Sequence, residues 1–351
     1  MYRTNLKAEY IAACMMPLMQ FSTYACILAI SWLGSKLIIS NSMTPGQLTT
    51  MISYVGQILI SLMMLTMVFM MSEIAGAAAK RIAEVLDEVP EIQNPKTDAV
   101  FEIENADIEF KNVSFGYPNC ADCLNDISFT IKQGETVGIM GPTGCGKTSV
   151  VQLIPRLYDV RGGEVMLGGI NVKDYDITSL RKAVSMVLQK NLLFSGSIKD
   201  NLLWGDENAD DDEIKRCCEL AQADSFINSF EGGYDYMLDQ GGSNVSGGQR
   251  QRLCIARALI AKPKVLILDD STSAVDTATD KKIREGLREY MPDTTKIIIA
   301  QRISSIQEAD KIIVLDDGRI NDIGTHDELV SRCEIYREIY DAQTKDGDFD
   351  E

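Results

Sequence analysis

The sequence predicts an α/β domain with a mainly parallel β-sheet, preceded by two membrane-spanning α-helices. Two runs near the N-terminus, 10–35 and 43–72, hold 26 and 30 residues without a charge, and a membrane-spanning helix needs about 20. From about residue 100, short apolar runs alternate with amphipathic helical patterns, which is typical of an α/β domain. The clearest buried strands are TVGIM, VLILDD and TKIIIA, which are short, continuous and apolar.

The two uncharged runs predict transmembrane helices at about 11–38 and 48–89. Strong helix formers follow the second run up to Pro90, so we expect that helix to continue into the cytoplasm. Neither run has the short apolar core and small-residue cleavage site of a secretory signal peptide. A buried core helix is the alternative interpretation.

Basic residues lie outside the pair of apolar runs, at their two outer ends. Arg3 and Lys7 precede the first run, Lys80 and Arg81 follow the second, and the turn-forming loop SNSMTPG carries neither Lys nor Arg. The excess of positive charge on cytoplasmic segments therefore predicts that both ends lie in the cytoplasm. We expect a multi-pass protein of the cell membrane, in contact with the lipid bilayer.

The net charge and the cysteine pattern disfavour a nucleic-acid-binding protein and a zinc-binding protein. The net charge of -17 argues against nucleic-acid binding, which usually needs a basic surface. Nine cysteines are scattered along the chain. Cys120 and Cys123 form a C-x-x-C, but no second pair or histidine stands at zinc-finger spacing. Reduced cytosolic thiols are the favoured interpretation, and a metal site is the alternative.

The domain organisation follows from these patterns. Residues 1–90 form the predicted membrane domain, 91–99 (EIQNPKTDA) read as a linker, and 100–351 form the α/β domain. Within FEIENADIEFKNVSF apolar residues alternate with polar ones, which predicts antiparallel pairing. A helical insert is predicted at about 197–262, because helical patterns dominate between two strands.

The strongest motif is GPTGCGKT, Gly141 to Thr148, which fits G-x-x-x-x-G-K-[ST] between the strand TVGIM and a helix. Backbone amides of a glycine-rich turn and a helix N-terminus bind phosphates, Lys147 neutralises the β and γ charges, and Thr148 ligates Mg²⁺. A chance glycine turn is the alternative. The predicted ATP-binding residues of this loop are Gly141, Thr143, Gly144, Cys145, Gly146, Lys147, Thr148 and Ser149.

A second motif follows a predicted strand. VLILDD ends the strand with Asp269, whose carboxylate we expect beside the phosphate loop, holding Mg²⁺, commonly through water. Together with the phosphate loop, Asp269 predicts a phosphate-loop nucleotide-binding fold.

The segment VSGGQRQR, Val245 to Arg252, resembles the LSGGQ signature of the ATP-binding cassette (ABC) family, with Val245 in place of leucine. The Ser246 hydroxyl and the amides at the start of the following helix predict a second anion site. The resemblance implies that this site closes on ATP held by a partner subunit. A Ser-Gly-Gly turn capping a helix is the alternative. The predicted residues are Ser246, Gly247, Gly248 and Gln249.

Other motifs follow along the chain in the order in which they occur in this family. Tyr117 in FGYP looks like the aromatic residue that stacks on adenine, with a core or edge-strand aromatic as the alternative. Gln189 resembles the glutamine that touches Mg²⁺ and senses the membrane domain. STSAVD, ending at Asp276, resembles the loop that crosses the dimer interface. The resemblance covers essentially the whole chain and implies a RecA-like core with an antiparallel β subdomain and a helical subdomain.

Two departures from the family pattern concern the chain's own ATP site. The family's general base after the second motif is usually glutamate, and here it is Asp270; one methylene fewer withdraws the carboxylate from the attacking water, at a cost on the order of 100-fold. The family reads A-H-R where this chain has Gln301 in place of histidine, and an amide cannot shuttle a proton. The single histidine, His326 in GTHDEL, is expected to be structural.

The resemblance implies an ATPase subunit of an exporter that binds ATP and Mg²⁺ and exports a drug-like or lipid-like substrate. The paired departures favour a heterodimer with a second half-transporter, in which this chain's site hydrolyses ATP slowly; a homodimer is the alternative. Family exporters have six membrane helices per half and this sequence has two, so we expect a truncated reading frame or fragment. A regulatory or gating membrane subunit is the second hypothesis. A soluble cassette ATPase acting on DNA or ribosomes is disfavoured by the membrane runs and the acidic charge.

Overall fold

The computed structural model describes residues 2–96, 98–270 and 275–346. The chain divides into two compact units, Met1–Pro90 and Glu91–Glu351.

The first unit is a pair of long helices, α1 (Tyr2–Ile39) and α2 (Pro45–Leu86). Their apolar segments 17–39 and 45–86 are long enough to cross a membrane, and α2 buries none of its residues. A helix that exposes apolar residues on all sides suits a lipid environment. The sequence predicted about 11–38 and 48–89 for these helices.

The turn between the two helices is short and well capped. Thr44 and Gln47 form a capping box, in which the Gln47 amide donates to Thr44 Oγ1 and the Thr44 amide donates to Gln47 Oε1, with Pro45 in the first turn. Gly34 of α1 is buried, and a Cβ there would collide with Leu48 Cδ1. The helices therefore approach closely at this glycine.

The second unit contains two principal sheets and a set of helices. In chain order the strands are β1 (Ile108–Phe115), β2 (Leu124–Ile131), β3 (Thr136–Met140), β4 (Gly162–Leu167), β5 (Ile170–Asn171), β6 (Val184–Val187), β7 (Gly196–Ser197), β8 (Met237–Leu238), β9 (Val265–Asp269), β10 (Thr295–Ile299), β11 (Lys311–Asp316) and β12 (Arg319–Gly324). The helices are α3 (Lys147–Leu153), α4 (Ile177–Ala183), α5 (Ile198–Leu203), α6 (Asp211–Leu220), α7 (Asp224–Ile227), α8 (Gly247–Ile260), α9 (Thr277–Tyr290), α10 (His326–Arg332) and α11 (Glu334–Asp346).

The larger sheet has the order β12-β11-β3-β10-β9-β6, and its strands are parallel except for the edge strand β12. Every residue of β9 and β10 is buried, as expected for a parallel sheet covered on both faces. The predicted strands TVGIM, VLILD and TKIII are the adjacent strands β3, β9 and β10. Their carboxyl ends therefore meet at one edge of the sheet, where the predicted site lies.

The smaller sheet is antiparallel, with the order β2-β1-β4-β5. The segment FEIENADIEFKNVSF, for which the sequence predicts antiparallel pairing, forms β1 from Ile108 onwards. Side chains of the parallel strands alternate between two apolar cores. Val265 and Ile267 lie in the core shared with the antiparallel sheet, whereas Leu266 and Leu268 lie in the core shared with helices α5 to α8. The fold is thus an α/β nucleotide-binding domain with antiparallel and helical parts.

The Asn94 side chain attaches the predicted linker to the start of α4. Asn94 Nδ2 donates to Asp176 Oδ2 at 2.8 Å, and the Ile177 amide donates to Asn94 Oδ1 at 2.8 Å. Asp176 also caps α4 by accepting from the Ser179 amide. Thr97 of this segment lies outside the described residues.

Candidate nucleotide-binding site

The phosphate-loop motif forms a tight turn from β3 into α3. Gly141 has φ 151°, and a Cβ there would collide with the Leu315 carbonyl oxygen. Gly146 has φ 96°, and a Cβ there would lie 2.6 Å from Leu124 Cδ2. Any larger residue would therefore disturb both the backbone conformation and its packing. Gly144 also has positive φ and open space on its Cβ side.

This loop offers a cradle of backbone amides. The first amides of α3 have no partners within the helix, and positive-φ residues beside them make a concave amide surface that suits phosphate oxygens. Thr143 is exposed, whereas Cys145 and Ser149 are buried. The Cys145 amide donates to the Pro142 carbonyl at 3.3 Å. The loop therefore fits an anionic nucleotide tail.

Lys147, the first residue of α3, is folded back onto this loop. Its Nζ donates to the carbonyl oxygens of Gly141 and Pro142, both at 2.8 Å, and lies 3.8 Å from Cys145 Sγ. The ammonium group is thus positioned at the loop, with carbonyl groups as its partners.

Thr148 and Asp269 are in direct contact. Thr148 Oγ1 donates to Asp269 Oδ2 at 2.9 Å, across 121 residues of sequence. Asp269 is 4% exposed, and its burial raises the pKa of the carboxyl above the usual range, although the Thr148 hydrogen bond opposes this. A hydroxyl and a carboxylate oxygen are ligands that Mg²⁺ accepts alongside water and phosphate oxygens.

Asp270 adopts the left-handed conformation, with φ 47°. Its Oδ2 accepts from two amides, Gln189 Nε2 at 3.2 Å and Gln301 Nε2 at 2.7 Å. Burial raises the pKa of this carboxyl, and both amides, Lys147 and Arg302 oppose the shift. The structure thus gathers the three residues predicted to be catalytic around one carboxylate oxygen.

The signature segment begins α8. Ser246 caps the helix by accepting from the Gln249 amide at 3.2 Å, and Gln249 Oε1 accepts from the Ser246 amide at 2.9 Å. Ser246 and Gly247 are exposed, Gly248 is half-buried, and Val245 is packed in the helical core. An exposed, capped helix start with a hydroxyl group suits an anion.

Tyr117 lies against α3. Its hydroxyl is 3.0 Å from Ser149 Oγ and donates to Gln152 Oε1 at 3.1 Å. Its ring meets that of Tyr158 edge-on, with centroids 5.2 Å apart. The half-buried ring therefore stands beside the helix that starts from the phosphate loop.

Asp276 caps α9 by accepting from the Thr279 amide at 2.9 Å. This hydrogen bond lowers the pKa of the Asp276 carboxyl. The segment 271–274 of the predicted interface loop lies outside the described residues.

Family models match both units. The ABC transporter model matches residues 124–273, and the ABC transporter transmembrane region model matches residues 1–63. The chain belongs to the ABC transporter family. The predicted ABC family, its exporter type and the fold class are confirmed, and this ABC transporter chain is a membrane protein with a cytoplasmic nucleotide-binding domain.

Individual relatives agree with the family models. Bacillus subtilis (strain 168) has an "Uncharacterized ABC transporter ATP-binding protein YfiB", 41% identical over 93% of this chain and 57% of its own length. From the same organism, the "Probable multidrug resistance ABC transporter ATP-binding/permease protein YheI" is 35% identical over 97% of this chain and 58% of its own length.

Among solved structures, that of a bacterial Atm1-family ABC exporter with ATP bound matches with a TM-score of 0.88 and 29% identity, over 96% of this chain and 60% of that one. This ABC transporter chain therefore spans less than two thirds of the length of these relatives.

Three residues of this ABC domain support the site although the motif analysis assigned them no role. Gln251 of α8 is 2% exposed and donates from Nε2 to the Asp270 carbonyl at 3.3 Å. Arg161 Nη2 donates to the Tyr117 carbonyl at 2.8 Å, and Tyr158 packs on the Tyr117 ring. The position of Gln251 relative to the signature segment could have predicted its role at the site. No sequence pattern around Arg161 or Tyr158 indicates theirs.

His326 is placed away from these contacts, in the first turn of α10. Its Nδ1 is 2.9 Å from the Tyr336 hydroxyl, and its ring meets Tyr340 edge-on. These contacts join α10 to α11, which agrees with the structural role expected for this residue.

Proposed function

We propose that this chain is the ATP-binding subunit of an ABC exporter, which couples ATP binding and hydrolysis to the export of a drug-like or lipid-like molecule. The observation that carries the proposal is the contact of Thr148 with Asp269 at the base of a glycine-lined phosphate loop. The exporter-type membrane unit and the relative named as a multidrug transporter support the direction and the substrate class.

The residues of this chain have distinct proposed roles. The amides of the loop Gly141–Gly146 and of the start of α3 hold the phosphates, with Lys147 as their counter-charge. The Tyr117 ring orients the adenine by stacking. Thr148, Asp269 and Gln189 would hold Mg²⁺. When bound, Mg²⁺ would neutralise the negative charge that develops between the β- and γ-phosphates.

We further propose that this chain's own site hydrolyses ATP slowly. Asp270 has a short side chain, and its Oδ2 already accepts from Gln189 and Gln301. A general base must reach the water it activates, so these hydrogen bonds and the missing methylene both reduce its efficiency. Gln301 orients a phosphate oxygen by donating from its amide, and the amide cannot take up and release a proton as an imidazole does.

The partner is proposed to be a second half-transporter, in a heterodimer, with a homodimer as the alternative. Ser246, Gly247, Gly248 and Gln249 would face ATP held by the partner, and Asp276 would lie near the shared interface. A competent glutamate and histidine on the partner would complete the more active site.

ATPase measurements on the purified complex test this assignment. Asp270→Asn should reduce turnover only slightly, whereas replacing the corresponding carboxylate of the partner should abolish it. Lys147→Glu is the control for binding and should remove Mg·ATP affinity at this chain's own site. If Asp270→Asn abolishes turnover as completely as the partner's substitution, the assignment is wrong.

A regulatory or gating subunit is the second candidate, because the Asp270 hydrogen bonds favour a site that seldom turns over. Transport into sealed vesicles separates the two. An exporter gives ATP-dependent directional flux of substrate, whereas a regulator gives an ATP-dependent conformational change without flux.

A further inference from the structure

The β1–β2 loop carries a pair of thiols that the proposed ATP chemistry does not use. Cys120 is exposed, Cys123 is half-buried, and both are free. The loop closes where the Cys123 amide donates to the Phe115 carbonyl at 2.8 Å. Two cysteines separated by two residues can form a disulfide when their loop brings the Cα atoms to about 4.4–6.8 Å.

This loop is in contact with the phosphate loop and its helix. Cys123 Sγ lies 3.9 Å from Ser149 Oγ, and Ser149 Oγ lies 3.0 Å from the Tyr117 hydroxyl. A Cβ on Gly146 would lie 3.2 Å from the Cys123 carbonyl oxygen. A displacement of Cys123 would therefore disturb both Tyr117, the predicted adenine contact, and the phosphate loop at Gly146.

Arg161 links the backbone of Cys120 to the backbone of Tyr117. Its Nη2 donates to the carbonyls of Tyr117 and Cys120, at 2.8 and 3.0 Å, and its Nη1 donates to Asp122 Oδ1 at 2.6 Å. The Cys120 amide also donates to the Tyr117 carbonyl at 3.0 Å. The backbone of Cys120 and the backbone of Tyr117 are thus held by the same guanidinium group.

Other described thiols of the nucleotide-binding domain are protected. Cys217, Cys218 and Cys254 are buried, and burial raises the pKa of Cys217 to about 11 and that of Cys218 to about 12. Thiols of this kind stay protonated at neutral pH and react slowly, because the thiolate is the nucleophile. Oxidation at neutral pH should therefore favour the exposed Cys120 and the half-buried Cys123 over these three.

We propose that Cys120 and Cys123 are a reversible oxidation site, closed to a disulfide by small-molecule disulfides, and that closure weakens nucleotide binding at this chain's own site. The proposal rests on the proposed function of that site. The Cys120 thiolate attacks one sulfur of the small disulfide, whose S–S bond breaks and releases one thiolate. The Cys123 thiolate then attacks the Cys120 sulfur of the mixed disulfide and releases the second. The two thiol protons of the protein leave on the two released small thiols, so that the protein loses two electrons and the small disulfide gains them.

Closure acts by moving the loop. A disulfide requires Cβ atoms about 3.8 Å apart. Its formation would move the Cys123 sulfur away from Ser149 and the Cys120 carbonyl away from Arg161. The Tyr117 backbone shares that Arg161 contact, so its ring shifts with the loop. We expect Mg·ATP affinity to fall about tenfold, as when one base–aromatic stack is lost.

The test uses the full chain in detergent, incubated with reduced or oxidised glutathione. Peptide mapping locates the linkage and calorimetry measures Mg·ATP affinity. We expect a Cys120–Cys123 linkage, about tenfold weaker binding, and recovery with dithiothreitol. The double variant Cys120→Ser, Cys123→Ser should bind as the reduced protein does and ignore oxidised glutathione, and each single variant should form only the mixed disulfide or none.

Three results would overturn this inference. They are the absence of the linked peptide at saturating oxidised glutathione, a linkage that leaves affinity unchanged, and an equal loss of affinity in the double variant. Failure of the reduced protein to bind Mg·ATP would instead remove the proposed function itself, and this inference with it.

Discussion

The side-chain amide of Gln301 donates to the Asp270 carboxylate over 2.7 Å. The family resemblance of the sequence predicts other residues at these two positions, a histidine in place of Gln301 and a glutamate in place of Asp270. The two departures therefore meet in a single hydrogen bond, and the Gln189 amide donates to the same carboxylate oxygen. A substitution at one position should depend on the other, because residues in direct contact couple energetically.

Asp270→Glu combined with Gln301→His should raise ATP turnover at this site by about 10- to 100-fold, because it restores the reach of the base and a group that exchanges protons. ATPase activity would be measured in a complex whose other site has been inactivated. Asp270→Asn with Gln301→His is the matched control and should show no rise. Equal activity of the two double variants would contradict the prediction.

Asp269→Asn should raise the midpoint of thermal unfolding at pH 7 in the absence of Mg²⁺ and nucleotide. Burial raises the pKa of the Asp269 carboxyl above 3.8. The protonated carboxyl therefore stabilises the folded state below pH 3.8, and this stabilisation is lost as pH rises through the higher folded-state pKa. Asparagine still accepts the Thr148 hydrogen bond and carries no charge. The gain should shrink as pH falls to about 4, when wild type is protonated too.

Asp276→Asn is the control of opposite sign. Its pKa is lowered by the Thr279 amide, so the charged form stabilises the folded state above pH 3.8, and this contribution is lost as pH falls through the lower folded-state pKa. The variant should unfold at a slightly lower temperature than wild type at pH 7. A gain for both variants, or a loss for both, would show that charge burial does not distinguish the two sites.

Ser246→Ala should lower the free energy of unfolding by about 1 kcal/mol, because it removes the cap of α8. Ser246→Asp keeps a good cap but places a negative charge at the predicted anion site, so it should preserve stability and abolish ATP-driven turnover of the complex. Denaturant unfolding and ATPase activity separate the two effects. Ser243→Ala, an exposed position in the preceding turn, should change neither.

Arg161→Lys should weaken Mg·ATP binding several-fold. The exposed ion pair with Asp122 is itself worth little, but lysine cannot reproduce the hydrogen bonds of both guanidinium nitrogens. Tyr117→Ala should cost about 1–3 kcal/mol of binding free energy if its ring stacks on adenine, and Tyr117→Phe, which keeps the ring, should bind nearly as wild type does. In a double-mutant cycle, Arg161→Lys should have little further effect once Tyr117 is alanine. Strict additivity would show that Arg161 acts independently of the ring.

The fold was predictable where one local pattern determines the element. The buried strands β3, β9 and β10 are continuous apolar runs, and parallel pairing brings their ends together, so the Thr148–Asp269 contact follows from two short motifs. The support from Arg161 was not predictable in the same way. Its partner, the Tyr117 carbonyl, is a backbone group, and a backbone acceptor leaves no trace in residue types.

Gly34 lets α1 lie directly against Leu48 of α2, next to a short turn fixed by the Thr44–Gln47 capping box. Because no side chain separates the two helices there and the connecting turn is short, we expect α1 and α2 to move together at this end. A tilt of α2 within the bilayer would then tilt α1 as well.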